Sequence, residues 1–434
     1  MQALSFDGKS FEYFKIWIVN ILLTIVTLGI YYPWAKVRTN RYFYANSKLD
    51  GRNFEYHATG KQLFFGYLIA MGLLIMYTVL SKVSPVLSGI MLLVFILALP
   101  WIIWRSMIFG MRMTSFSNVR FGFVGNLWPA YLNYLILPIG LYLLFGILAV
   151  AVILPMKFLM GPGGTPGAAA IFYGVVGTLA LFAYTIWAFS LLKKKNTDYK
   201  LNGTRYGQGV FKTDIAVSPL LKYALLGLVF GIVGFVLYLI IAALIGGAFI
   251  NLGSLVAMGG MVKDNPQMMK MMMPLLAPVI IAAYIGLILV FMLAASYVTT
   301  RQRSYIFDNT VLDEKITFSS TLKARSLAWV SLSNLLAIIA PLIIAGVLFA
   351  IVSASFGKGP VTIALGAVIG LAAVFVTGLV FCWAKVRMTR LMLNGTSVNT
   401  EVGFDEYVTE KQGQESSLGD QIGDAFNVDI GLGV

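Results

Sequence analysis

Residues 34–57 read WAKVRTNRYFYANSKLDGRNFEYH, and this stretch decides the architecture. An apolar segment ends in a basic, amide-rich cluster, Asn46-Ser47 follows, and Asp50-Gly51 separates two short runs with apolar residues at alternate positions. Asp-Gly between period-two runs predicts a β-hairpin. Four more copies follow: TSFSNVRFGF (Thr114 to Phe123), LNGTRYGQGVF (Leu201 to Phe211), RSYIFDNTVLDEKITF (Arg303 to Phe318) and WAKVRMTRLMLNGTSV (Trp383 to Val398). The units lie near 34–57, 101–123, 187–211, 299–318 and 383–399. Asn, Ser or Thr stands before each hairpin, and such side chains bond local backbone and end helices. The N-terminal LSFDGKSFEYF resembles a further hairpin half. Isolated hairpins are marginal in water, so several on one face are expected to join into a small sheet.

Between the units the chain is made for lipid. Apolar residues reach 59%, charged residues only 12%, and mean hydropathy is +0.84. Runs of about 20 apolar residues, enough to cross ~30 Å of hydrocarbon, occupy roughly 63–81, 86–104, 128–155, 168–192, 219–247, 274–299, 326–353 and 361–384, with an earlier one at 14–34. The expected fold is an all-α polytopic membrane protein of eight to nine transmembrane helices in repeated pairs, joined on one side by short β-hairpins. Residues 1–400 form a single multi-span domain in this reading. Residues 401–434, with eight acids against one base, read as a disordered, solvated tail.

The chain carries a net +14, and +21 without the tail. Lys and Arg concentrate in the loops that hold the repeated units, which places those units and the C-terminus in the cytoplasm by the positive-inside rule. The N-terminus carries no basic n-region or cleavage site of a signal peptide. The 14–34 segment admits two readings. It starts like the outgoing spans (Trp17 and Asn20, compared with Trp128 and Asn133 or Trp329 and Asn334) but ends in WAKVR like an incoming one. A re-entrant pair of half-helices broken at Gly29 fits both signatures, while a single span with an external N-terminus fits the length.

The run from Tyr13 to Tyr56, YFKIWIVNILLTIVTLGIYYPWAKVRTNRYFYANSKLDGRNFEY, resembles the YjgN-type bacterial inner-membrane family, with weaker copies to about residue 400. The resemblance implies a multi-pass inner-membrane protein with no established activity.

Little in the chain carries chemistry. One cysteine, Cys382, and one histidine, His57, leave no disulfide and no zinc cluster to build. The candidate spans hold no Asp or Glu, unlike most ion-coupled carriers. A GxxxxGK[ST] phosphate loop and hydrolytic constellations are missing too. No enzyme, no cofactor and no nucleic-acid partner are expected. Candidate contacts for anionic headgroups or an anionic solute are Trp34, Lys36, Arg38, Arg41, Arg301, Arg303, Trp383, Lys385, Arg387 and Arg390. Arg residues three apart share a helix face and can hold phosphate, although Trp with snorkelling bases also serves plain anchoring. Asn20, Asn133 and Asn334 are candidate intramembrane polar groups, for a polar path or for interhelical bonds. Met258, Met261, Met268, Met269, Met271, Met272 and Met273 could ligate Cu(I) or fill apolar surface. The leading functional reading is a channel or carrier for a small anionic or lipidic solute. Its competitor is a scaffold that organises lipids or proteins through a basic face.

Overall fold

The computed structural model describes residues 2–159, 167–249, 266–400 and 404–407, with side chains left out at 242–249, 266–283 and 405. Met258 and Met261 lie outside the described residues, as do the side chains of the other loop methionines and nearly all of the acidic tail. Among the described residues, eight helices are long and apolar enough to cross a membrane. They are α3 (Gly60–Val83), α4 (Pro85–Arg112), α5 (Leu127–Phe158, with a π-turn at Leu132–Ile136), α6 (Ala168–Gly203), α7 (Val217–Phe249), α8 (Pro266–Asp308), α9 (Ala324–Phe356) and α10 (Pro360–Asn394). Two shorter helices, α1 (Ser10–Val26) and α2 (Tyr32–Ala45), precede them.

Each helix pair is flanked by two strands, and one rule sets where the second strand starts. Ser47, Thr114, Thr204, Thr310 and Thr396 each donate their hydroxyl to the carbonyl four residues back, at 2.9, 3.0, 2.8, 2.7 and 3.1 Å. Such back-bonding gives the last turn a partner as the backbone leaves the helix. The chain then runs as β2 (Ser47–Leu49), β4 (Thr114–Phe116), β6 (Thr204–Tyr206), β8 (Thr310–Leu312) and β10 (Thr396–Thr400). Tight turns lead back into β3 (Arg52–Tyr56), β5 (Val119–Phe123), β7 (Gly209–Thr213) and β9 (Ile316–Ser320). Asp50 and Gly51, like Ser117 and Asn118, all have positive φ, the signature of the two-residue type I′ turn that matches strand twist.

These hairpins do not remain separate, and the all-α expectation is corrected here. Ten strands close into a barrel, each paired antiparallel with its neighbours in chain order, and β1 (Gln2–Phe6) closes the ring between β10 and β2. The physical reason is edge satisfaction: a small sheet leaves unpaired backbone groups at two edges, and a closed one leaves none. The fifth unit has no following strand to form a hairpin with, so β10 pairs with β9 on one side and with β1, from the opposite end of the chain, on the other. Register repeats in all five helix pairs. Ser47 faces Phe6, Thr114 faces Tyr56, Thr204 faces Phe123, Thr310 faces Thr213 and Thr396 faces Ser320.

Alternation sorts the barrel's two faces. One carries the pairs Leu4–Leu49, Phe54–Phe116, Phe121–Tyr206, Phe211–Leu312 and Phe318–Val398. Leu49, Phe116, Phe121, Tyr206, Phe211, Leu312 and Val398 among them are buried in one cluster, and the Tyr206 hydroxyl donates to the Phe116 carbonyl at 3.0 Å. The other face carries Lys48, Glu55, Arg120, Arg205 and Lys212. Lys212 lies 2.8 Å from Glu314, bridging β7 to the β8–β9 turn. That contact holds the Glu314 carboxyl below its ordinary range and the Lys212 amine above its own. Past β10, Phe404 packs edge-on against Phe116 at 5.3 Å and is itself buried, while Tyr407 stands 5.3 Å from Tyr206. Phe404 and Tyr407 therefore belong to the barrel core.

The first apolar segment turns back. α1 ends at Val26, Leu28 and Gly29 take φ of 50° and 93°, and α2 resumes at Tyr32 with Pro33 in its first turn. Because β1 and β2 are adjacent strands of one barrel, both ends of the segment lie on the barrel side.

Among the described residues, burial divides the spanning helices into two zones, seen most plainly in α4 and α5. Near the barrel, Ile102, Ile103, Ser106, Met107, Phe109 and Met111 of α4 are all buried. Farther away only one stripe is covered. In α4 it runs through Ser88, Met91, Phe95 and Ala98, and in α5 through Leu141, Phe145, Leu148 and Val152, a spacing of three and four. That spacing is the seam of a two-helix packing. Residues 74–79 and 346–351 are exposed over more than a full turn, so neither flank of those helices is covered there. No more than 22% of any of the eight apolar windows is buried, and none of that in α9.

Candidate functional site

The groups singled out in the sequence meet where the helix pairs join the barrel, and the geometry divides them by task. Asn20 donates to the Ala35 carbonyl at 3.2 Å and to the Thr39 hydroxyl at 3.4 Å. Asn334 donates to the Ala384 carbonyl at 3.2 Å, and Asn133 to the Lys195 carbonyl at 3.3 Å. Each bond joins the outgoing helix of a pair to its incoming helix. Asn20 and Asn334 are buried there. In the fourth pair the two helices approach at Gly227, where a Cβ would strike the Val298 side chain. Its polar link comes from the incoming helix instead: Gln302 donates to the Leu220 carbonyl at 2.9 Å and accepts from Lys193 at 2.6 Å. The sequence reading missed Gln302 because it sought amides only on outgoing helices.

Three arginines are committed to backbone. Arg41 donates to the Ala58 carbonyl at 2.7 Å, and Arg390 to the carbonyls of Gly8 at 2.8 Å and Phe6 at 3.4 Å. Arg303 donates to the Met392 carbonyl at 3.2 Å and the Thr396 hydroxyl at 2.8 Å, with the Phe307 ring 4.8 Å away. These guanidiniums tie the incoming helices to the loop after β3, the turn after β1, and the end of α10 with the start of β10. A carbonyl has two lone pairs, so it can take a charged donor beyond its own ladder bond.

A second group lies at the same level, partly or fully exposed. Arg38 and Arg301 are exposed, and Arg301 lies 5.8 Å from the Tyr297 ring. Arg387 stacks on Trp383 at 4.9 Å and donates to the Ser333 hydroxyl at 2.6 Å. Lys385 sits 4.8 Å from the Phe43 ring and 5.6 Å from Tyr13. Trp34 packs against Phe64 and Tyr31, and Lys36 directly follows the Asn20–Ala35 contact. Trp128 and Trp329 are both more than 60% exposed at the start of their outgoing helices. Indoles and cations gathered at the barrel ends of long apolar helices are the pattern of a bilayer interface. Among the described residues no three His, Cys, Asp or Glu side chains converge on a possible metal site.

Comparison with known proteins agrees with this frame. Residues 1–425 match the model of a family described as bacterial protein of unknown function (DUF898). The chain belongs to that family. It is 26% identical over 335 residues to inner membrane protein YjgN of Escherichia coli O157:H7, covering 73% of this chain and 77% of that one. It is 27% identical over 335 residues to the protein of the same name in Salmonella typhimurium, covering 75% and 79%. The resemblance read at residues 13–56 thus extends over most of the chain. No solved structure matches it.

Proposed function

We propose that this chain is a non-enzymatic inner-membrane protein whose solute is lipidic, and that it carries phospholipid between its helix pairs. One observation supports this reading above others: beyond the barrel the pairs touch along single seams and leave apolar flanks open on both sides. A channel for a small hydrophilic ion calls for polar lining through the bilayer. Here the intramembrane amides are spent on helix contacts and the barrel beneath is packed with aromatic side chains. Acyl chains fit gaps of this character, because apolar flanks inside a bilayer are covered by lipid at no cost in hydrogen bonds. In this reading the barrel and the interfacial cations face the cytoplasm, a sidedness that the bias of Lys and Arg toward the barrel side supports. The names of the relatives support an inner-membrane location.

The test is reconstitution into liposomes holding a fluorescent phospholipid, with an impermeant quencher outside. The carrier reading expects faster loss of inner-leaflet fluorescence than in protein-free liposomes, and no added leak of chloride or phosphate. Anion leak without lipid movement would overturn it in favour of a channel. Lipid retained through purification but never moved would overturn it in favour of a scaffold.

A further inference from the structure

The five units can be superposed without any choice of sequence alignment, because each incoming helix runs into the barrel at a hydroxyl in the same ladder position. Those anchors are Ser47, Thr114, Thr204, Thr310 and Thr396, each opposite the last residue of its partner strand. Counting back from them compares like with like. The helices end within two residues of the anchor in all five cases, so height and rotation are preserved upstream.

Nine residues before the anchor stand Arg38, Arg105, Lys195, Arg301 and Arg387. Of the thirteen positions preceding the anchor, this one alone is basic in all five units. Nine residues of helix rise about 13 Å, so the five cations share one level above the barrel. One turn farther from the barrel, at thirteen residues, stand Trp34, Trp101, Leu191, Tyr297 and Trp383, aromatic in four of five. Three contacts accord with the pairing: Arg301 to Tyr297 at 5.8 Å, Arg387 to Trp383 at 4.9 Å, and Arg105 to Trp101 at 5.9 Å, although Trp104 lies nearer to Arg105 at 4.8 Å. Arg38, Lys195 and Arg301 are exposed, and Arg105 and Arg387 lie half-buried against their indoles. Incoming helices alternate with outgoing ones around the closed barrel, so the five cations are spread around the whole circumference.

We infer that these five residues form a pseudo-five-fold collar that binds the phosphates of anionic phospholipids, one lipid at each helix pair. The inference rests on the lipidic reading above and names its headgroup class. An indole or phenol ring fixes the depth of an interface and a cation one turn closer to water reaches the phosphate. Chance or simple topology signalling would not place the charge in one register five times. Sidedness needs only a basic excess, and the other candidate cations scatter among registers: Arg41 and Arg390 lie six residues before the anchor, and Arg303 seven.

The experiment purifies the full chain after incubation in vesicles of equal parts phosphatidylcholine and phosphatidylglycerol, and measures the ratio of the two lipids retained. Wild type should enrich phosphatidylglycerol, and excess inorganic phosphate should leave that ratio unchanged. Each single change, such as Arg38→Gln or Lys195→Gln, weakens one of five sites roughly five-fold, the factor expected of one interfacial cation near an anionic surface, and should lower the measured enrichment by about a sixth. Changing all five to Gln should abolish it, whereas the exchange R38K, R105K, K195R, R301K and R387K should keep it. A folded five-fold Gln variant that still enriches phosphatidylglycerol would overturn the collar and leave the lipidic reading intact. Wild type that retains no lipid at all would overturn that reading as well. If the five-fold variant misfolds, the exposed pair Arg38→Gln with Lys195→Gln decides, and an unchanged ratio there counts against the collar.

Discussion

The side-chain amide of Asn334 donates to the carbonyl oxygen of Ala384 at 3.2 Å, tying α9 to α10 across fifty residues of chain. Asn20 makes the same bond to Ala35 at the same distance, and both acceptors are the second residue of a WAKVR run. Two helix pairs at opposite ends of the sequence are thus clamped identically. An interhelical amide bond in a membrane contributes about 0.6 to 2 kcal/mol. Replacing Asn334 with Leu should therefore lower the free energy of unfolding in mixed micelles by about 1 kcal/mol, and Asn20→Leu should do the same. Because the two sites are separate contacts with no shared partner, the losses should add. A double variant no less stable than either single one would show that the bonds are not independent clamps.

Phe404 anchors the chain after the last strand. Its ring meets Phe116 and Tyr206 and is 8% exposed, so truncation removes a core side chain. Buried Phe→Ala changes cost about 3 to 5 kcal/mol, but a terminal segment can release locally for less. Phe404→Ala should free the end of the chain and leave the ten strands paired. Limited proteolysis should then cut near residue 404 roughly ten times faster or more, with the barrel fragment unaltered. Equal cleavage rates would mean that Phe404 holds nothing in place.

How much of this could be read beforehand depends on the range of each signal. The turns were legible because Asp50-Gly51 and Ser117-Asn118 act over four residues, and all four take the positive φ that type I′ turns require. Eight spans were legible from local hydropathy alone. Closure of the barrel was not, because it depends on β1 meeting β10 across nearly the whole chain, and no local pattern encodes that pairing. The collar was half legible. Arg38 and Arg387 follow identical pentapeptides, but Arg105 and Lys195 sit in dissimilar surroundings and align only once Thr114 and Thr204 are known to be ladder-equivalent. Roles were least legible, since nothing in the sequence separates Arg390, which binds backbone, from Arg387, which reaches a serine and an indole.

The Lys212–Glu314 contact gives the barrel's outer face a modest pH dependence. Glu314 is held below its ordinary pKa in the folded state, so its contribution is present above about pH 4.3 and is lost as pH falls through the lowered value. Lys212 is raised, so its share is full below about pH 10.4 and is lost as pH climbs past the raised value. Both side chains are well exposed, and salt should weaken the pair strongly. Glu314→Gln should flatten the acidic limb of the stability profile at low ionic strength and have no effect in about 1 M salt. An acid limb identical to wild type at low salt would remove this pair from the account.

Gly29 sets the topology of the first pair. Its φ of 93° follows Leu28 at 50°, and its amide reaches back to the Thr24 carbonyl at 2.7 Å, so the chain reverses between α1 and α2. A Cβ at this position would stand 3.1 Å from the Tyr67 hydroxyl, on a backbone that L side chains avoid. Gly29→Ala should cost about 1 to 2 kcal/mol, the usual penalty for a left-handed non-glycine residue. Gly29→Leu should cost more and shift some molecules toward one continuous helix. Paired reporters test the geometry directly: one fused before Met1 and one inserted at Asn118 should read out on the same side in the unmodified chain, because β1 and the β4–β5 turn belong to one barrel. In Gly29→Leu a fraction of the N-terminal reporter should cross while the Asn118 reporter stays. Opposite sides in the unmodified chain would break the β1–β2 pairing, and with it the closure of the ring.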